Sequence, residues 1–480
     1  MSERAEFDVV AIGGGTAGLV TAAGVAGLGG RAALIERDRL GGDCLWTGCV
    51  PSKALIASAR TARAADRAGR FGVAARPSID AAAVMSSVRD VRARIEPHDD
   101  PARFRAMGVD VVEGAARFIS PHEIDVEGRR IRGRRFVIAT GSRATVPPIP
   151  GLDGSRHFTH AEAFEREDLP RSLAVIGGGP IGIELAQAYR RLGADVTVVE
   201  LLDRILVREE PELTELLREI LAEEGVRILT GRPVASVRGG DGPARLEIGD
   251  ASGVETVEAA EILVAAGRRP NTGDLGLEDA GVELDGGGWV KVDDRLRTSR
   301  RHIFGAGDVI GGHLFTHVAD HEARTVVQNA LLPVRARIRY DVIPWVTYTD
   351  PELAHVGLTE AEARERHGDG VSAHVCDLAD LDRAIADRAA VGRVKIVVDR
   401  RGRILGGHIL AHGAGTMISE IALAMRAGVG LGALSSLVHP YPTMSEGIRR
   451  AADAYRRSLL GGWRKKALDA AIRLGRHFPA

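Results

Sequence analysis

The chain has 480 residues, 45% of them hydrophobic and 27% charged, which is a soluble globular composition too long for one ordinary core. Its 64 basic and 65 acidic residues nearly cancel, excluding the global field that attracts nucleic acid or anionic membrane. Three cysteines, a polar start without an apolar leader and no membrane-length apolar run exclude a secreted disulfide framework and a bilayer span, so a reducing cytoplasm is expected.

The first predicted strand, Phe7 to Ile12, runs into Gly13-Gly14-Gly15-Thr16-Ala17-Gly18 and then an Ala-rich helix to Leu28. A second strand, Ala32 to Ile35, ends at Glu36. The same order returns later: Ser172 to Ile176, then Gly177-Gly178-Gly179-Pro180-Ile181-Gly182, a helix to Leu192, and Asp195 to Val199 ending at Glu200. In both copies the acid follows the first glycine by the same interval, an internal repeat of a dinucleotide-binding unit. Gly13 and Gly177 permit the tight turn, Gly15 and Gly179 let backbone approach a pyrophosphate, and Gly18 and Gly182 let helix and strand pack. The helix N-termini meet phosphate charge, and Glu36 and Glu200 bond ribose hydroxyls. Two different dinucleotides therefore bind one chain.

Between the two copies lies Gly41-Gly42-Asp43-Cys44-Leu45-Trp46-Thr47-Gly48-Cys49-Val50-Pro51-Ser52-Lys53. Half a zinc site would need a second Cys/His pair, and none of suitable spacing stands out, so no metal site is assigned. A helix beginning near Pro51 would put its positive end beside Cys49 and favour thiolate, which reads as redox chemistry. Helical periodicity follows from about Lys53 to Arg105, then short strands up to Val137-Ile138-Ala139-Thr140-Gly141 and a linker, Pro147 to Gly151. The second dinucleotide unit ends near Ile262 to Gly267, an echo of the earlier run. From Trp345 onward strands such as Val394 to Val398 and Ile404 to Ile409 alternate with helices, and Tyr455 to Ala480 is basic and helix-like.

Together the glycine units, the Gly-Gly-Asp-Cys…Gly-Cys-Val-Pro-Ser-Lys run and Ile303-Phe304-Gly305-Ala306-Gly307-Asp308-Val309 resemble the pyridine nucleotide–disulfide oxidoreductases, which include dihydrolipoamide dehydrogenase, glutathione reductase and mercuric reductase. The resemblance implies an α/β fold with two Rossmann-like domains, binding FAD and NAD(P)H, and a C-terminal α+β dimerisation domain that makes a homodimer. The expected divisions are 1–150 for the first FAD part, 151–272 for NAD(P)H, 273–344 for the second FAD part, 345–457 for dimerisation and 458–480 for the basic tail. It further implies that Cys49 lies against the flavin as thiolate, that Cys44 meets the substrate, and that Lys53 pairs with Glu184 beside the flavin. Asp308 and His317 would hold the flavin side, with Gly42, Thr140, Gly141 and Gly267 among the cofactor-binding positions. Electrons would pass from the nicotinamide through FAD to the cysteine pair and then to a disulfide or metal-ion acceptor. Glu200 repels a 2′-phosphate, and Glu200-Leu201-Leu202-Asp203-Arg204 supplies one arginine, so NADH is expected over NADPH.

The pattern departs from the disulfide reductases at His439-Pro440-Tyr441-Pro442-Thr443-Met444-Ser445-Glu446. Aligned on Pro442-Thr443 and Glu446, Tyr441 stands where those enzymes carry the acid–base histidine. A phenol is a poor proton acceptor at neutral pH, which weakens lipoamide and glutathione disulfide as substrates. Mercuric reductases resemble this chain in the tyrosine, but the stretch Arg473 to Ala480 lacks their cysteine pair. His439, two residues from Tyr441, would share its side of an extended segment and is a candidate replacement base. The plainer reading bonds it to backbone. His313, His317 and His321 would align on a helix but read as polar helix surface, and Cys376 as an inert buried thiol. Arg456, Arg457, Arg464, Lys465, Lys466, Arg473 and Arg476 read as a solvated helix. Two alternatives to the enzyme reading stay open, a slow-cycling redox sensor and an NADH oxidase passing electrons to oxygen.

Overall fold

The structure, a computed structural model, describes residues 6–240, 242–250, 253–461 and 463–475. Two compact units are present, Met1–Asp203 with Glu224–Arg339, and Arg204–Glu223 with Tyr340–Ala480. In the first unit the strands Ile303–Gly305, Phe136–Ile138, Val9–Ile12, Ala32–Glu36 and Val109–Glu113 form, in that order, a parallel sheet. Both faces are covered. Val9, Ala11, Leu34 and Val137 pack to one side with the helices Thr16–Gly27 and Thr316–Leu331, and Val10, Ile12, Ile35 and Phe136 to the other. Strands buried on both faces read as continuous apolar runs, which is how these appear in the sequence.

A second parallel sheet of the same unit runs Arg227–Leu229, Asp195–Val199, Ser172–Ile176, Glu261–Val264 and His157–Phe158. Two three-stranded antiparallel sheets, within 116–132 and 234–259, accompany the parallel ones. Ser172–Ile176 and Asp195–Val199 fall where the apolar runs put them. The cysteine helix starts earlier than expected, with Cys49 as its first residue (Cys49–Arg67), because Gly48 leaves the helical conformation just before it.

The second unit is an antiparallel sheet ordered Pro344–Thr347, Glu352–Gly357, Ile404–Ala411, Arg393–Val398 and Ser372–Asp377. Its core joins Val356, Val394, Ile396 and Ile409 to Met417, Ile418 and Ile421 of helix Ala414–Ala427 and to Ile448, Ala451 and Tyr455 of helix Glu446–Leu459. The segment Arg204–Glu223 belongs to this unit although sequence order sets it inside the second dinucleotide repeat. The reason is electrostatic. Buried Glu210 and the neighbouring Glu212 take Lys395 Nζ at 3.0 and 2.9 Å, and Glu360 takes it at 2.8 Å. Helix Trp463–Gly475 carries Lys465, Lys466 and Arg473, while Arg476 lies outside the described residues. Among the described residues no helix is long and apolar enough to cross a membrane.

Candidate functional site

Each glycine of the repeat answers to a different neighbour. A Cβ on Gly13 would sit 2.3 Å from Ala139 O, and one on Gly177 2.4 Å from Ala265 O. Both residues have positive φ, 108° and 114°, so the turn itself requires glycine. A Cβ on Gly18 would lie 1.8 Å from Gly13 O, and on Gly182 2.0 Å from Gly177 O, which is the helix packing onto its own turn. Gly179 has nothing within 4 Å of such a Cβ, and Gly15 only the Gly42 Cα at 3.9 Å. The second glycine thus faces open space at a helix N-terminus in both copies, a cradle suited to a pyrophosphate. Gly42, at φ 56°, abuts the Gly15 backbone and narrows the first cradle.

The acids at the strand ends are oriented alike. Glu36 accepts from Gly14 N at 2.5 Å and Asp38 N at 2.8 Å. Glu200 accepts from Gly178 N at 2.6 Å and Leu202 N at 2.8 Å. Each carboxylate is fixed beside its glycine turn with lone pairs left for ribose hydroxyls. Arg204 is committed elsewhere, its guanidinium donating to Glu209 O and Val207 O. Thr140 and Gly141 form the turn after Phe136–Ile138 and are clamped by Asn271, which accepts from Thr140 Oγ1 at 2.7 Å and donates from its own N to Gly141 O at 3.0 Å. Gly267 holds a comparable turn, its carbonyl accepting from Thr145 N at 3.0 Å.

The two cysteines are free thiols, Cys44 half-buried and Cys49 exposed. Cys49 Sγ lies 3.2 Å from Thr316 Oγ1, and Thr316 is the first residue of helix Thr316–Leu331. Two helix N-termini therefore converge on one sulfur, a setting that stabilises negative charge. The Cys44 hydrogen bond, with help from Thr316 and the Lys53 charge, pulls the Cys49 thiol down to about 6. Cys44, hydrogen-bonded to that sulfur and half-buried, is pushed far up and keeps its proton. Lys53, one turn along the cysteine helix, places Nζ 2.8 Å from Glu184 Oε2, whose side chain is 8% exposed. Glu184 comes from helix Pro180–Arg191 of the second repeat, so this ion pair joins the two dinucleotide modules.

Sequence reasoning missed a polar cluster that fixes the cysteine loop. Arg268 Nη2 donates to Asp43, the residue before Cys44, and Arg268 Nη1 lies 2.9 Å from His160 Nε2. Arg268 Nε donates to Ser142 Oγ at 2.8 Å, and Ser142 Oγ donates to Asp308 Oδ2 at 2.7 Å. Burial disfavours the charged Asp43, but His160 and Arg268 outweigh it and hold its carboxyl well below the usual range. Burial raises Asp308. Asp308 follows a turn in which Gly307 N donates to buried Glu322 at 2.7 Å. The only sequence signal was Arg268 standing directly after Gly267. His317 is the second residue of its helix, and its ring stacks on Phe315 with centroids 5.5 Å apart. His313 precedes that helix, so the three histidines do not share a helical face. Left-handed backbone at Gly311 and Gly312 delays the helix to Thr316.

In the other unit, His439 and Tyr441 do not share a side, because the segment around them is not a strand. His439, its side chain 4% exposed, sits 3.1 and 3.2 Å from the Glu420 carboxylate oxygens and 3.3 Å from Leu437 O. Tyr441 is 70% exposed and donates to Asp382 at 2.8 Å, a bond that raises its pKa and holds the phenol protonated. Buried Glu446 accepts from Arg449 at 3.0 Å through Oε1, while its Oε2 has no hydrogen-bond partner. Cys376 is buried and its thiol pushed up by burial.

Residues 7–330 match the family described as pyridine nucleotide-disulphide oxidoreductase, and residues 343–452 match its dimerisation domain. A mercuric reductase of Streptomyces lividans is 36% identical over 94% of this chain and 96% of its own length. A dihydrolipoyl dehydrogenase of Thermus scotoductus is 36% identical over 93% of this chain and 97% of its own. Among solved structures, the Cu(II) complex of the HOCl-induced flavoprotein disulfide reductase RclA of Escherichia coli superposes with a TM-score of 0.84 at 28% identity, covering 94% of this chain and 99% of the other.

Proposed function

The chain belongs to the pyridine nucleotide-disulphide oxidoreductase family, and from that premise we propose that its electron acceptor is a thiophilic metal ion rather than an organic disulfide. It is an FAD-dependent oxidoreductase that draws electrons from NAD(P)H and carries the family's dimerisation domain. The first glycine cradle with Glu36 and Asp308 fits FAD, which when bound supplies two-electron traffic between nicotinamide and thiols. The second cradle fits the nicotinamide dinucleotide. NADH is favoured there because Glu200 repels a 2′-phosphate and Arg204 is engaged with backbone carbonyls.

The observation that carries the acceptor is the absence of a usable base among the described residues of 437–446. Disulfide exchange by Cys44 expels a thiolate that must be protonated, which is the work of a positioned histidine. Here Tyr441 is a proton donor to Asp382, and His439 is buried against Glu420. A metal ion that binds thiolates needs no such relay. Closing the Cys44 thiol and Cys49 thiolate to a disulfide releases two electrons, enough for Hg(II) to Hg(0) or for two Cu(II) to Cu(I), and one proton, which leaves to solvent. The mercuric reductase relatives and the copper complex of RclA support this class. The protein works as a homodimer in a reducing compartment, where the pair is kept able to cycle.

The test is steady-state NADH consumption with Hg(II) plus excess small thiol, Cu(II), lipoamide and glutathione disulfide. The metal ions are expected to turn over at least about tenfold faster than either disulfide, and Cys44→Ser or Cys49→Ser to abolish that turnover. Faster turnover of lipoamide would refute the assignment.

A further inference from the structure

Three side chains of metal-ligating type, Glu209, His355 and His408, converge in the second compact unit, apart from the cysteine pair. His355 and His408 face one another across the paired strands Glu352–Gly357 and Ile404–Ala411. Their rings meet edge to face with centroids 4.4 Å apart. His355 Nε2 is 2.8 Å from Gly357 O, and His408 Nε2 is 3.0 Å from Leu358 O. A carbonyl only accepts, so each Nε2 carries a hydrogen, and in a neutral ring Nδ1 is then the lone-pair nitrogen. His355 Nδ1 then confronts Glu209 Oε2 at 2.9 Å. The other oxygen of Glu209 accepts from Trp345 Nε1 at 2.6 Å. His408 Nδ1 has no hydrogen-bond partner.

One ring nitrogen of each histidine and one Glu209 oxygen lie within 4.8 Å of one another. The side chains of Glu209, His355 and His408 are 5%, 2% and 1% exposed, which keeps bulk solvent from them. A proton shared by His355 and Glu209 would settle one contact and leave His408 Nδ1 bare. A divalent cation settles all three. Close by, Glu210, Glu212 and Glu360 take the ammonium of Lys395, and Arg204 donates to the Glu209 carbonyl.

We propose that Glu209, His355 and His408 form a buried structural site for a divalent transition-metal ion of the zinc type. Two imidazoles and a carboxylate are the borderline donors such ions take. The outer layer is already in place, since the Gly357 and Leu358 carbonyls orient the rings and the Trp345 N–H orients the carboxylate. The ion staples the Arg204–Glu223 segment, which carries Glu209, to the two histidine strands.

The test uses the full-length FAD-loaded protein with Cys44→Ser and Cys49→Ser, so that the redox thiols do not capture metal. After EDTA treatment and metal-free gel filtration, Zn(II) is added, unbound ion is removed, and zinc per chain and Tm are measured. About one zinc per chain is expected to survive, with Tm raised by several degrees. His408→Gln should lose both responses while keeping FAD content and the metal-free Tm. X-ray absorption at the zinc edge needs no ligand variant, and should show two imidazoles and oxygen at about 2.0–2.1 Å. No zinc retained, equal retention by His408→Gln, or an edge spectrum without imidazole would each overturn the proposal.

Discussion

The charge on one sulfur sets the chemistry at the residue scale. The Cys44 hydrogen bond, with the Thr316 hydroxyl and the Lys53 charge, pulls the Cys49 thiol down to about 6 and makes it thiolate through the neutral range. Because the pKa is depressed, the thiolate is present above about pH 6 and lost as pH falls through that value. The long-wavelength thiolate-to-flavin absorbance of the reduced protein should therefore fade below about pH 6. Thr316→Val, which removes one donor to the sulfur, should move that midpoint up by about one unit. Tyr441 offers the complementary experiment. Glu446 keeps an unpartnered Oε2 in a buried position, and its charge is felt by the Tyr441 phenol. Tyr441→His should restore an acid–base group and raise lipoamide turnover by about tenfold or more, measured as NADH-dependent rate. Glu200→Gln should narrow the preference for NADH over NADPH by about tenfold in kcat/KM, because the carboxylate that repels a 2′-phosphate is gone.

Local elements were the most legible part of the sequence, because a glycine turn states its own requirement. Gly13 and Gly177 are fixed by the strands beside them and Gly18 and Gly182 by their own helices, so the repeat could be read without neighbours in space. Gly18→Ala should lower FAD retention, read as flavin absorbance per chain. Gly182→Ala should spare FAD and weaken NADH binding, since each added methyl meets a carbonyl about 2 Å away. Element boundaries were less legible. Cys49 begins its helix two residues before Pro51 because Gly48, and not the proline, sets the break. His313 falls outside the Thr316–Leu331 helix because Gly311 and Gly312 adopt left-handed backbone. His439 and Tyr441 part company because their segment never becomes a strand, so a period of two does not apply.

Pairings made across the whole molecule were legible only where the family resemblance implied them, as for Lys53 with Glu184. Asp43, His160 and Arg268 meet over sequence separations of 117 and 225 residues, and nothing periodic links them. Lys395 is a further case, an ammonium 6% exposed and held by Glu210, Glu212 and Glu360. Lys395→Met should destabilise its unit by about 3–5 kcal/mol, because buried Glu210 loses its counter-ion, and calorimetry would show this as a lowered Tm. The central claim is that electrons leave through Cys44 and Cys49 to a thiophilic metal ion. Its most direct test is anaerobic stopped-flow of the NADH-reduced protein, following the long-wavelength absorbance on mixing with Hg(II) plus excess thiol, Cu(II), lipoamide or glutathione disulfide. Rapid loss of the band with a metal ion, and persistence with both disulfides, is the predicted result. A band discharged by lipoamide and untouched by either metal ion would contradict it.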